Sequence, residues 1–433
     1  MSWRGIWSEL REAVTGEYPA GTLTNPSVSF IHGMSGGVTN AGVAITEQTA
    51  EGLPAIYAAV HVISETTGQL PLKIHRRLRA GGKEPDPDHP LYPILHDQLN
   101  PEMTAVQGRE MLTRHLAIWG RAYGQIERNR RGEVTAVWPL HPARMLVRRN
   151  ELNQKVFRYW MGGNQNPWQE FVHDPLRPPI LHLHINCDDG IDGRSPLRIN
   201  AESLGITKAA EDYTGAWFRN GAIPGIIAMS KGRLSPRAKE NIRESWLRRF
   251  AGASSANKLA ILEEGITAEV VGVDPEKSQL DSLRKAQIEE AARIYRVPLF
   301  LIQSQTKDTS WGSGIAEQML GFVNMTMMPW FIQWQQAIRR DLLSPQGRST
   351  HEGVFIVNAL VRGDIQKRYD AYTKARQNGW LNGDEIRELE DLNPIADGSG
   401  GIYWQPANMM PAGAIPVAVE DEPTVADEPD EVM

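Results

Sequence analysis

Three stretches bring together residue types that could do chemistry. The first, Gly33-Met34-Ser35-Gly36-Gly37, matches the Gly-x-Ser-x-Gly turn that presents a nucleophilic serine between a strand and a helix. A strand-like Val28-Ser29-Phe30-Ile31-His32 precedes it, but the turn-rich Val38-Thr39-Asn40-Ala41-Gly42 follows where a helix is needed. A flexible glycine-rich arm over residues 1–45 is the better reading, with a serine hydrolase using Ser35 as an alternative. The second stretch is LHLHINCDDGIDG, residues 181–193. His182 and His184 alternate with leucines, so they share one strand face, and Cys187, Asp188, Asp189 and Asp192 follow. Zinc takes such ligands, but no second cluster supplies the remainder at a recognisable spacing. A calcium loop also fails, because the glycine is misplaced and no glutamate closes it. The histidines read as structural, and no metal is assigned. The third is the basic helix SPRAKENIRESWLRRF, whose Arg243, Arg248 and Arg249 could touch phosphate, although such charges are more often a solvated face or a protein contact. Walker A, dinucleotide-binding and zincin patterns are absent, so no cofactor and no enzymatic activity are assigned.

Composition narrows the classes further. The chain has 433 residues, enough for more than one lobe, and is 41% hydrophobic and 23% charged. A net charge of -6 argues against tight phosphate-driven binding to nucleic acid, though not against DNA passing by. The single cysteine excludes an internal disulfide and fits a reducing compartment. The N-terminus lacks an apolar signal core. The longest apolar run, MLGFVNMTMMPWFIQW, is broken by Asn324, Thr326, Pro329 and Gln333, so no membrane span is expected. Thirteen tryptophans suit large contact surfaces as well as cores.

The positioning elements centre on residues 276–343. Leu280, Leu283, Ile288, Ala291, Ala292 and Ile294 form one face of a helix that Pro298 stops. Ile315, Met319, Phe322, Val323, Phe331, Trp334, Ile338 and Leu342 form the stripe of a longer helix, in which Pro329 predicts a kink. Between them lies a polar loop with nothing to bury: Gln303, Ser304, Gln305, Thr306, Lys307, Asp308 and Thr309. This is a mechanical arrangement, without the look of a catalytic one.

Upstream, the pattern predicts a helix from Pro54, a strand from Leu70, a turn over GGKEPDPDHP and two helices around Asn100-Pro101. Hairpins follow at Arg131-Gly132 and across KVFRYWMGGNQNPWQEFV, then a strand at PPILHLHIN. A long helix starts at Ser195-Pro196 and ends at Asn220-Gly221. IPGIIAM, the basic helix and the hairpin NKLAILEEGITAEVVGV make a compact insert. HEGVFIVNALV is a strand. DIQKRYDAYTKARQNGW and NGDEIRELEDLNP form a helical hairpin with an Asn382–Glu385 capping box. The second of these helices is acidic, which is wrong for a DNA groove. Residues 411–433 are Pro-rich and acidic, a disordered tail. The fold class is α+β.

In order along the chain, LPAIYAAVHVISETTGQLPLKIHRR, HPLYPILHDQLNP, WGRAYGQIERNRRGEVTAVWPLHPARM, HINCDDGIDGRSPL, WFRNGAIPG, EEAARIYRVPLFLI and MPWFIQW resemble the compact portal proteins of tailed double-stranded DNA phages. The resemblance runs from Thr46 to Pro394. Arg121 departs from the asparagine usual after Trp-Gly, and Cys187 occupies a variable turn position. The resemblance implies a wing over residues 46–194, stem helices at 195–221 and 275–297, and a clip at 222–274 carrying Arg243, Arg248 and Arg249. It implies a tunnel loop within 298–314, formed by residues 303–309, and a long helix kinked at Pro329 with its return to the wing over 315–351. The wing end and crown would be 352–410. It implies a homo-oligomeric ring, normally of twelve, at one capsid vertex of a virion, assembled in the bacterial host cytoplasm. Its implied partners are double-stranded DNA held non-specifically, the large terminase, the major capsid protein and scaffold, and a head-tail adaptor, with no membrane. A peripheral membrane protein inserting the Met- and Trp-rich helix 315–343 is the other class the residues leave open.

Overall fold

The computed structural model describes residues 38–79, 81–162, 168–219, 226–230, 235–237, 239–240, 266–270, 280–302, 313–357, 360, 365–390 and 392–404. The chain divides into two compact units, Met1–Leu360 and Val361–Met433.

The first unit opens with α1 (Glu47–Glu51), α2 (Pro54–Gln69), β1 (Leu72–Arg77), β2 (Lys83–Pro85), α3 (Tyr92–His96), β3 (Gln98–Asn100), β4 (Met103–Thr104) and α4 (Ala105–Trp119). Pro54 sits in the first turn of α2, where its missing N–H is not needed. Thr104 and Gln107 close a capping box on α4. The two long helices pack together: Ile56, Ala59, Val60 and Ile63 of α2 and Leu112, Leu116 and Ala117 of α4 are buried in one core. Arg109 of α4 lies inside that core, with its guanidinium donating to Gly68 O (2.8 Å) and Leu95 O. Burial there lowers its pKa to about 10. The last part of the expected arm, residues 38–45, is packed onto the unit. Val38 bridges Ala44, Asn40 N donates to Glu202 (3.0 Å), and Ile45 is buried.

Next come β5 (Arg121–Arg128), β6 (Val134–Leu140), β7 (Met145–Arg149), β8 (Lys155–Trp160), β9 (Trp168–Val172) and β10 (Ile180–His184). They form two antiparallel sheets of order β10-β5-β6 and β7-β8-β9, with Gly124 opposite Leu181 and Phe157 opposite Phe171. A third sheet pairs β1 with β2 and with β13 (His351–Phe355), Leu72 lying opposite Phe355. Two local features differ from the sequence reading. Lys83-Glu84-Pro85, expected in a turn, is an edge strand, the sheet position that tolerates proline. Asn100-Pro101 joins the β3–β4 hairpin instead of a plain helix–helix loop.

The expected helix after Ser195 is divided. α5 (Pro196–Ile199) is capped by Ser195, and α6 (Ala201–Arg219) follows after Asn200 leaves helical geometry. Asn200 turns its amide back to Pro196 O at 2.8 Å. The apolar spacing continues across the break, which hides it. β11 (Ile226–Ser230) pairs antiparallel with β12 (Ile266–Val270), joining the two ends of the insert.

Then come α7 (Leu280–Tyr295), a 3-10 turn (Leu299–Ile302) and α8 (Ser313–Gly321). A π-helical segment (Phe322–Met327), α9 (Met328–Ala337) and a second π segment (Ile338–Leu342) follow, before α10 (Gly347–Thr350). Pro329 is therefore in the first turn of α9, directly after a π turn. The register change is how the chain admits a proline within a long helical run. Phe322, Val323, Phe331, Trp334, Ile338 and Leu342 are buried and Met319 packs against the same core, whereas Ile315, one turn before Met319 on the expected stripe, is exposed.

The second unit contains α11 (Ile365–Gln377) and α12 (Gly383–Leu389). Asn382 and Glu385 form the expected reciprocal cap, both bonds at 2.8 Å. Glu390 accepts from Arg368 (2.8 Å) and Tyr372 (3.0 Å), tying the hairpin together.

Candidate functional site

The polar loop 303–309 lies outside the described residues, as do residues 310–312, but the helical segments on either side are described, and each bonds α4. On the N-terminal side, buried Tyr295 donates its hydroxyl to Ala117 O at 3.1 Å. Burial pushes the Tyr295 hydroxyl far above its usual pKa, so it stays a neutral donor. On the C-terminal side, Trp334 donates to Thr113 Oγ1 at 3.0 Å. A third bond joins the two flanks directly: Thr326, in the first π segment, donates to Arg296 O at 2.6 Å. The segments on either side of residues 303–312 are therefore held together in one frame.

A second set of bonds anchors the far end of the long helix to strand β10 of the β10-β5-β6 sheet. Asp341, almost fully buried, accepts the backbone N–H of His182 at 3.0 Å, and Arg340 donates to His182 O. The expected histidine face exists: the His182 and His184 rings lie 4.7 Å apart. Both ring nitrogens of His182 are already engaged. His182 Nδ1 meets Lys155 Nζ at 3.0 Å and Nε2 meets Asp192 at 3.1 Å. Burial, reinforced by Lys155 against the opposing pull of Asp192, lowers the His182 pKa to about 4 and keeps the ring neutral. Asp192 also accepts from Tyr123 (2.7 and 2.8 Å) and Arg121 (3.0 Å). Burial alone would raise the Asp192 pKa, but the His182 hydrogen bond and the Arg121 charge outweigh it and leave it below the usual carboxylate value. Asp189 accepts two backbone N–H groups of its own turn, from Ile191 and Asp192, and Asp188 pairs with Arg194. Among the described residues no group of three side chains is placed to hold a metal. This stretch is a polar pin between strand, turn and helix.

Sequence reasoning missed the partners that make the pin. Lys155, Arg340 and Asp341 come from distant segments, and nothing in their local spacing marks them. Arg121 was visible only as a departure from the resemblance, and its structural use is the ion pair with Asp192. Arg243, Arg248 and Arg249 lie outside the described residues, as does Ser35. The first helical turn expected after Ser235-Pro236 is present, with Lys239 N donating to Ser235 O at 3.0 Å.

The family described as "Phage portal protein" matches residues 54–391. The chain belongs to the phage portal protein family. Its members are structural components of the virion. The portal protein of Enterobacteria phage HK97 is 29% identical over 415 residues, covering 94% of this chain and 93% of that one. The probable portal protein of Streptomyces phage phiC31 is 30% identical over 391 residues, covering 88% and 83%. In fold, the chain is similar to a protein in the neck of a native GTA particle computed with C12 symmetry. That match has a TM-score of 0.53 and 21% identity, and covers 79% of this chain and 91% of the other. The α+β class read from the sequence holds.

Proposed function

We propose that this chain is the repeating subunit of a ring at one capsid vertex, through which double-stranded DNA passes during packaging and ejection. The observation that carries the reading is the family match over residues 54–391, which spans both framed helices and the polar segment between them. Helix packing makes a ring of twelve feasible. Packed helices lie roughly 8–10 Å apart, so twelve give a circumference of about 110 Å and a centreline diameter of about 35 Å. Removing one helix width of about 10 Å leaves roughly 25 Å, just enough for a duplex. Residues 303–309 would be the tunnel loop, touching DNA through hydroxyls, amides and water, with Lys307 and Asp308 its charged members. Within this loop, one cation per subunit means few released counterions and a weak hold, which suits a conduit.

The insert 222–274, with Arg243, Arg248 and Arg249, would dock the large terminase and later a head-tail adaptor. The wing would meet scaffold and major capsid protein, with assembly in the host cytoplasm. The membrane alternative loses its basis, because the stripe it would insert, from Phe322 to Leu342, is already buried within the unit. Among the described residues no helix is long and apolar enough to cross a membrane.

Native mass with negative-stain imaging of the same peak tests the ring. A particle of about 580 kDa, twelve times 48.3 kDa, with a central hole is expected. A preparation that stays monomeric with scaffold present contradicts it.

A further inference from the structure

Helix α7 ends in an unusual way. Val297 N–H bonds Ala292 O at 3.0 Å and Arg296 N–H bonds Arg293 O at 3.3 Å. This is the paired closure in which the residue after the cap is left-handed, a position glycine favours because it has no Cβ. Gly379 fills it after α11, and Gly120 ends α4 in the same left-handed conformation, with φ of +71° each. After α7 the residue is Arg296, with φ of +55°. The other described non-glycine residues with positive φ are Asn153 and Asn186, of the type that tolerates it. The Thr326 hydroxyl on Arg296 O holds the strained turn from the far side of the loop.

That turn borders an open cleft of about 430 Å³, lined by Glu289, Ala292, Arg293, Arg296, Val297, Pro298 and Leu299. Arg293 and Arg296 are both exposed, and neither has a carboxylate partner among the described residues. The helix dipole accounts for a cation at Arg293, in the last turn. It does not account for an arginine where glycine is less strained. Backbone strain kept at one position points to a role for its side chain.

We propose that Arg293 and Arg296 form a backbone-phosphate site for double-stranded DNA at the root of the loop, repeated in every subunit. The inference rests on the ring reading and adds to it a contact outside residues 303–309. Arginine fits such a site because its fork of donors matches phosphate oxygens and reads no sequence.

The test uses the purified ring and a fluorescent 30-bp duplex of arbitrary sequence, with anisotropy followed from about 50 to 200 mM salt. R293Q/R296G removes both charges and places the favoured residue in the turn, so it should fold and keep native mass. It should bind the duplex at least about threefold more weakly, with a shallower salt dependence. R293K/R296K keeps the charge but loses the fork, so it should bind between the wild type and the glutamine–glycine variant, with a salt dependence near that of the wild type. Unchanged affinity and slope in the glutamine–glycine variant would overturn the site. So would loss of the ring in that variant alone, which assigns the cations to a neighbouring subunit. A wild-type chain that forms no ring removes the parent reading instead, and the phosphate site with it.

Discussion

Trp334 donates its indole N–H to the hydroxyl of Thr113, 3.0 Å away, with both side chains buried. The two residues are 221 positions apart. This one bond fixes α9, C-terminal to the polar segment, against α4 in the main core. Trp334→Phe keeps most of the packing and loses the donor, which should cost about 1–3 kcal/mol. Thr113→Val should cost a similar amount. The double variant should cost less than the sum, because neither partner is then left unpaired. Urea unfolding of all four proteins measures this, and strict additivity would show that the bond contributes little.

Acid should loosen the fold well before carboxylates protonate. His75, His89, His115, His141, His173, His182 and His184 all have pKa values lowered by burial. A group with a depressed pKa in the fold binds more protons when unfolded. The stability it contributes is complete above the unfolded value near 6.5 and is lost as pH falls toward the folded value. For His182, with a folded pKa of about 4, the loss reaches about 2 kcal/mol by pH 5. The melting temperature should therefore drop between pH 7 and 5, and His182→Gln should flatten part of that slope. A melting temperature that is constant over this interval would contradict the assignment.

The junction between α4 and β5 should tolerate no side chain. Gly120 has φ of +71°, and a Cβ there would meet Arg194 O at 1.9 Å. Gly120→Ala should cost more than about 3 kcal/mol, since backbone strain and a backbone clash add. Gly162 is a fair control: φ is +82° with nothing within 4 Å of the added Cβ. Gly162→Ala should cost only about 1 kcal/mol. Equal costs at the two sites would mean that the Arg194 segment moves aside freely.

Removal of residues 303–309 should separate assembly from transport. Both roots keep their bonds, Tyr295 to Ala117 and Trp334 to Thr113, so the frame should fold without the loop. Rings should form with normal native mass, while packaging or retention of DNA falls. Loss of ring assembly would instead place these residues at a subunit contact.

What could be read from the sequence follows from which interactions are local. Helix α2 announces itself through Pro54 and its apolar period, and the cap at Asn382 through a glutamate three residues on. The π segment before Pro329 was not readable, because a 3.6-residue period carries no mark of one widened turn. Ile315 shares a helix face with Met319, but spacing carries no mark that the core ends one turn short of it. The break at Asn200 was hidden by apolar residues that continue across it. At the candidate site, the polar character of 303–309 was plain in composition. Its anchors were not, since Thr113, Ala117 and Arg296 meet their partners only in three dimensions. The histidine strand shows the same limit: its shared face was legible, but Lys155 and Asp192 decide what the ring nitrogens do.

Asp341 is the point where the long helix grips strand β10, and exchanging one carboxylate oxygen for an amide nitrogen tests it. Its carboxylate accepts the His182 N–H at 3.0 Å and pairs with Arg340, which also reaches His182 O. Asp341→Asn keeps shape and one acceptor oxygen but removes the charge. Rotation of the amide to satisfy His182 leaves its NH2 facing the Arg340 guanidinium. The expected cost is about 1–3 kcal/mol, from a weakened charge-assisted bond and an imperfectly paired buried donor. Asp341→Leu should cost more, about 3–5 kcal/mol, because it strands the buried N–H and removes the partner of Arg340. Hydrogen exchange gives the local readout: the His182 amide should exchange faster in both variants, while amides of α12 in the second unit stay unchanged. Uniform acceleration across both units would indicate global destabilisation and refute a local pin.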